Sequence, residues 1–262
     1  MKARANGIEI NYEIAGSGPW VTLSHSLGCD LHMWDEQIDA LTRNYRVLRF
    51  DTRGHGASGA PAGAYTLEQM ADDAHGLFAG LGIKQTHWVG LSMGGMIGQT
   101  YALRYPGVFK SMALADTTSR YPADAAPVWA DRIMTAQTGG MGPIVDAMLA
   151  RWFTEPYRKS HAQVMARIGG SVGATPVAGF VGCCHAIPKI NLTQRLKEID
   201  CPTLVIVGEQ DPGTPVAMAR EIHEAMPGSE LVIIPSAAHL SNVEQPQAFN
   251  AALLGFLDRA AT

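Results

Sequence analysis

The sequence predicts an α/β domain: a mostly parallel, eight-stranded sheet with helices on both faces and a helical cap inserted late in the chain. Three observations lead there. Short apolar runs alternate with helix-length segments up to residue 119 and again after residue 197, and such alternation means a parallel sheet wound on both faces. Between 120 and 197 the alternation stops, and several amphipathic helical segments follow one another, broken by Gly and Pro. Finally, "HWVGLSMGGMIGQ" (87–99) joins an apolar strand to a helix through a corner crowded with glycine.

Each element has a local reason. "KARANGIEINYEIAG" reads as a β-hairpin, with Asn6-Gly7 supplying the positive φ angles of its turn. "WVTLSH" and "YRVLRFD" are nearly continuous apolar runs, as expected of strands buried on both faces. Helical spacing marks 35–41 and 66–81, and Thr66 with Gln69 three residues later forms a capping signal. "THWVG" is the next strand, 93–104 the next helix and "KSMALAD" the strand after it. "PTLVIVG" and "ELVIIP" are late strands, each followed by a helix starting at a proline, Pro215 or Pro246.

At 262 residues the natural organisation is one core, 1–119 with 198–262, carrying a cap at 120–197. The composition, 47% hydrophobic and 17% charged, suits a soluble globular enzyme. A net charge of −4 and a pI near 6.1 give no support for a nucleic-acid partner. No apolar run approaches the ~18–20 residues of a membrane span, and "MKARANGIEINYE" lacks a secretory signal, so no membrane partner is expected and the cytoplasm is the expected compartment. Cys29, Cys183, Cys184 and Cys201 form no CxxC pair; free thiols are expected, with no metal site. The cap carries nine Lys/Arg against four Asp/Glu, +5, which leaves −9 on the remainder. A cationic lid over an anionic body suits an anionic substrate, although uneven charge is also common without purpose.

Gly90-Leu91-Ser92-Met93-Gly94 is a G-x-S-x-G motif in a strand–turn–helix setting. Such a turn lifts the Ser92 hydroxyl above the sheet and sets a helix N-terminus under a developing oxyanion. A serine needs a base. In the order nucleophile, acid, histidine, "VGEQDPGTP" offers Asp211, before a helix capped by Thr214, and "PSAAHLSNVEQP" offers His239. Both follow strands, where open α/β sheets form their sites. Ser92, Asp211 and His239 are therefore the expected catalytic triad, with Asp116, ending "SMALAD", as the rival acid. The N–H groups of Leu27, in "LSHSLGCD", and Met93 are the expected oxyanion donors, and His55, in "DTRGHGAS", is expected to brace the site.

Ser26-Leu27-Gly28, "FDTRGHGAS", "GLSMGG", "GEQDPGTP" and "AAHLSNVEQP" resemble the α/β-hydrolase superfamily over nearly the whole chain. "SLGCDLHMWDEQIDAL", "YRVLRFDTRGHGASGAPAGAYTLEQMADD", "ARWFTEPYR", "GFVGCCHAI" and "AAHLSNVEQPQAF" are similar, more narrowly, to the 3-oxoadipate enol-lactonases of bacterial aromatic degradation. His25-Ser26 departs from the superfamily's usual His-Gly, though the lactonases tolerate serine there. The resemblance implies an α/β-hydrolase fold and hydrolysis of an anionic enol-lactone to 3-oxoadipate in the β-ketoadipate pathway, with no cofactor. Carboxylesterase, carbon–carbon bond hydrolase of ring-cleavage products, perhydrolase, and a non-catalytic receptor on the same fold are the competing readings.

Substrate selection is expected in the cap. Trp129 and Arg132, three apart, share a helix face, and Arg151 shares one with Ile144 and Met148. Each arginine is either a carboxylate clamp or a cation snorkelling to solvent. Trp129 and Trp152 either wall the pocket or belong to the core. Oligomeric state is left open.

Overall fold

The computed structural model describes residues 1–260. Its sheet has eight strands: β1 (Lys2–Ala5), β2 (Ile8–Gly16), β3 (Trp20–Ser24), β4 (Arg46–Phe50), β5 (Thr86–Leu91), β6 (Phe109–Ala115), β7 (Thr203–Gly208) and β8 (Glu230–Ile234). They lie in the order β1-β2-β4-β3-β5-β6-β7-β8. Only β1/β2 and β2/β4 are antiparallel; from β4 onward all pairs are parallel. Asn6 and Gly7 hold φ of 45° and 83°, the double positive φ of the tight hairpin turn.

β5 and β7 are buried at every residue, as a parallel strand covered on both faces should be. β8 differs. Its apolar run resembles theirs, yet most of it is half-buried, because it forms the edge of the sheet. Helices α1 (Asp35–Leu41), α2 (Leu67–Leu81) and α3 (Met93–Arg104) follow the early strands. Thr66 Oγ1 accepts the Gln69 N–H and Gly82 closes α2 at φ 70°. Trp88 of β5 stacks with Phe109 of β6 and Tyr101 of α3, ring centroids 5.1 and 6.1 Å apart, which seats α3 on the sheet.

Among the described residues, five α-helices occupy the stretch between β6 and β7: α4 (Ala126–Gly139), α5 (Gly142–Trp152), α6 (Glu155–Ser160), α7 (Ala162–Ala174) and α8 (Val177–Ala186). The first three carry proline in the first turn, Pro127, Pro143 and Pro156, where the missing N–H costs nothing. The late strands lead into α9 (Val216–Ala225), α10 (Ser241–Glu244) and α11 (Pro246–Ala260). Thr214 does not cap α9; Pro215 holds that position and Thr214 Oγ1 donates to the Asp211 carboxylate instead. Cys29, Cys183 and Cys184 are free and buried, and Cys201 is free and partly exposed. Among the described residues no single helix is long and apolar enough to cross a membrane.

Candidate active site

β5 ends at Leu91 and α3 begins at Met93, so Ser92 alone makes the corner, at φ 55°, ψ −113°. Glycine permits this approach. A Cβ on Gly90 would lie 2.2 Å from Gly94 O, and one on Gly94 would lie 2.1 Å from Ser24 O, so neither position can carry a side chain without moving backbone. The corner is pinned by Ser92 N–H to Ala115 O at 2.8 Å and by Thr117 Oγ1, which donates to Ser92 O at 2.7 Å. An extended-to-helical switch in one residue with φ above zero is a strained geometry of the kind that collects at functional sites.

The loops after β7 and β8 bring Asp211 and His239 together. Asp211 Oδ2 lies 2.7 Å from His239 Nδ1. The carboxylate also accepts the N–H of Gly213 at 2.7 Å, the N–H of Thr214 at 3.1 Å and Thr214 Oγ1 at 2.7 Å. Both side chains are buried. Burial alone would raise the Asp211 pKa, but the His239 charge and these donors hold it well below the ordinary carboxylate value. Burial likewise disfavours the His239 cation, but Asp211 and then Asp116 outweigh it and raise the imidazole pKa.

His239 and Ser92 line one cavity of about 210 Å³. Among the described residues His239 bonds only through Nδ1, leaving Nε2 without a partner, and Ser92 Oγ has none either. Leu27 borders the same cavity. Beside it Gly28 N–H donates to His55 Nε2 at 2.9 Å and Cys29 N–H to Ser26 O at 3.1 Å, whereas the N–H groups of Leu27 and Met93 meet no acceptor among the described residues. A second buried imidazole, His25, receives the Thr52 N–H at 2.9 Å, so two histidines brace the turn that carries Leu27.

Asp116, the rival acid, is placed elsewhere: it receives Gly208 N–H and Ser241 Oγ and makes no hydrogen bond to His239. Arg132, Arg151, Trp129 and Trp152 all line the cavity. The Arg132 guanidinium lies 4.5 Å from the Trp129 ring centroid. Arg151 departs from the expectation: the buried stripe of α5 is Ile144, Met148 and Trp152, and Arg151 stands exposed beside it while still lining the cavity. Neither arginine has an acidic partner among the described residues, and no Asp or Glu lines the cavity. Burial, with the Arg151 charge behind it, depresses the Arg132 pKa. Such a cleft is preorganised for an anion.

Two contributors escaped the sequence reading. Tyr121 lines the cavity, edge-on to Trp129 at 5.7 Å. Glu244, buried, receives the N–H groups of Ala238 and Thr154, so it ties the His239 loop to the start of α6. A carboxylate in the otherwise neutral run "LSNVEQP" was the available signal.

A serine on a strand–helix corner, a histidine–carboxylate pair past the last strands and free main-chain donors beside them form the site of a hydrolase. Residues 19–246 match the family model described as the alpha/beta hydrolase fold, and the chain belongs to that family. It is 35% identical to 3-oxoadipate enol-lactonase 2 of Acinetobacter baylyi, over 97% of this chain and 95% of that one. The crystal structure of the enol-lactonase from Burkholderia xenovorans LB400 superposes with a TM-score of 0.95 at 39% identity, covering 98% of this chain and 100% of that one. A proposed carbamate hydrolase, RutD of Agrobacterium fabrum, is 28% identical over 95% of this chain and 96% of its own.

Proposed function

We propose that the chain is a serine hydrolase that opens 3-oxoadipate enol-lactone, a small anionic lactone, to 3-oxoadipate. The observation that carries this reading is the pair of arginines, Arg132 and Arg151, without an acidic partner among the described residues, on the cavity shared by Ser92 and His239. Full-length similarity to two enol-lactonases supports the choice of lactone.

In this reading Ser92 Oγ attacks the lactone carbonyl carbon while His239 Nε2 takes its proton. No hydrogen bond joins the two atoms in the structure, and catalytic contacts of this kind often tighten only when substrate is bound. Asp211 holds the imidazole by its Nδ1–H and stabilises the imidazolium. The N–H groups of Leu27 and Met93, with the N-terminus of α3 behind the latter, receive the oxyanion. The ring C–O bond then breaks and the enolate leaves, becoming a ketone when the proton that His239 took from Ser92 passes to its carbon, which returns His239 to the neutral base. That conversion makes acylation hard to reverse. Water, deprotonated by His239, attacks the acyl-enzyme carbonyl; the acyl C–Oγ bond breaks, His239 returns the proton to Ser92 Oγ, and the new carboxyl group leaves and ionises. The substrate's own carboxylate faces Arg132 or Arg151 throughout, as a charge-assisted contact.

Loss of the lactone's ultraviolet absorbance with the purified protein tests the reading, beside a neutral p-nitrophenyl ester. Turnover that prefers the lactone and vanishes in Ser92→Ala supports it; undiminished turnover by Ser92→Ala would refute the nucleophile. The relative from Agrobacterium favours a second reading, a carbamate as substrate, and a kcat/KM for a carbamate above that for the lactone would select it.

A further inference from the structure

Asp116 is a buried carboxyl that the proposed mechanism does not use. It directly follows β6 at φ 44°, one of four non-glycine residues with positive φ among the described residues, and it is fully buried. A non-glycine residue is held there only when its surroundings over-determine it, and here they do. Its N–H donates to Ile206 O of β7 at 2.8 Å. Its Oδ1 receives Gly208 N–H at 2.7 Å, and its Oδ2 receives Ser241 Oγ–H at 2.5 Å.

Those two donors lie on the two loops that matter. Gly208 closes β7, and its carbonyl receives the N–H of Asp211 at 3.1 Å. Ser241 is two residues past His239 and opens α10. The carboxyl of Asp116 thus bridges the base of the Asp211 loop to the base of the His239 loop. The main chains of the two loops also meet directly, Glu209 N–H donating to Ile234 O and Gln210 N–H to Ala237 O, both at 2.9 Å.

We propose that Asp116 is a positioning residue for the His239–Asp211 pair: it locks the two loops in register through Gly208 and Ser241 and can take up charge when the imidazole is protonated. The inference rests on the reading of His239 as the base. The titratable groups facing Asp116 are Asp211 and His239; His239 in turn faces Asp211, Asp116 and, from α5, Arg151. Burial and the Asp211 charge push the Asp116 carboxyl up to about 8. Near neutral pH it therefore gains charge most readily when His239 becomes an imidazolium, the state that forms as Ser92 gives up its proton.

Two variants of the full-length chain test the proposal. Asp116→Asn keeps the shape, still accepts Gly208 N–H and donates to Ser241, but cannot carry charge. It should move the titration of His239, followed by NMR on histidine-labelled protein, to lower pH, and move the acid limb of kcat/KM with it. Ser241→Ala removes one bridge and should lower kcat about tenfold with KM within about twofold of the parent, the pattern of lost transition-state stabilisation. A His239 titration that stays in place in Asp116→Asn, or a kcat unchanged in Ser241→Ala, overturns the proposal. The imidazole titration needs no substrate, so it decides this point even if no lactone or ester is turned over and the catalytic reading falls.

Discussion

The guanidinium of Arg132 lies 4.5 Å from the centroid of the Trp129 ring, and among the described residues no carboxylate meets it. A cation held over an indole, half-buried and facing a second cation, Arg151, is short of an anion. The stack also orients the planar fork for a carboxylate.

Arg132→Ala should therefore raise KM for the anionic lactone by about tenfold or more, a charge-assisted pair contributing ~1.5–3 kcal/mol, while kcat/KM for a neutral ester changes little. Arg132→Lys should recover little, because an ammonium offers neither the fork nor the ring stacking. Steady-state kinetics on both substrates checks this; a KM unchanged for the lactone assigns the clamp to Arg151 or to neither.

The raised pKa of His239 sets the pH profile. Burial opposes the shift, but Asp211 and Asp116 win. The base must be neutral, so kcat/KM should fall on acidification with a midpoint above about 6.5, the ordinary histidine value. Asp211→Asn withdraws the charge and the tautomer control together. It should cut kcat by about 10⁴ at neutral pH and leave the far-ultraviolet circular dichroism unchanged, since its remaining donors lie in one tight turn.

Much of the fold was legible because it rests on local patterns: period-3.6 helices, apolar strands, Asn6-Gly7 and the glycines around Ser92. What was not legible depends on register between distant segments. Chain order already favoured Asp211 over Asp116 as the partner of His239, but that Asp116 instead meets Gly208 and Ser241 follows only from the pairing of β6 with β7. Thr214 reads as a helix cap in sequence, but the neighbouring carboxylate claims its hydroxyl. Arg151 sits outside the buried stripe of its helix, which runs through Ile144, Met148 and Trp152, and is exposed although it borders the cavity. β8 loses its cover by being last in the sheet.

His55 supplies a stability test. Burial first, then the His25 charge, push its pKa down to about 3, and its Nε2 must stay unprotonated to receive Gly28 N–H. Its folded pKa is depressed below the unfolded value of about 6.5, so between these limits the unfolded chain binds the extra proton. Stability should then fall as pH drops from 6.5 towards 3, by up to about 1.4 kcal/mol per pH unit for this one group. His55→Gln keeps an acceptor without a titrating ring. Thermal unfolding between pH 7 and 4 should show a shallower slope in that variant; an equal slope means that His55 protonates without cost in the folded state.

Ser92 offers the opposite trade. At φ 55° and ψ −113° it occupies a region comfortable for glycine alone, and the strain is held by Ala115 O and Thr117 Oγ1 on either side of it. Strain of this kind costs about 1–3 kcal/mol. The corner's backbone bonds do not involve the side chain, so Ser92→Gly should keep them, release the strain and raise Tm by about 2–4 °C for each kcal/mol recovered in a chain of this size. Ser92→Ala keeps a Cβ at the same φ and should leave Tm close to that of the parent. Both variants should lose turnover of lactone and ester alike. Calorimetry on the three proteins side by side checks this, and a Tm for Ser92→Gly at or below that of Ser92→Ala means that the corner is relaxed as it stands, so that its shape reflects packing around Gly90 and Gly94 without stored strain.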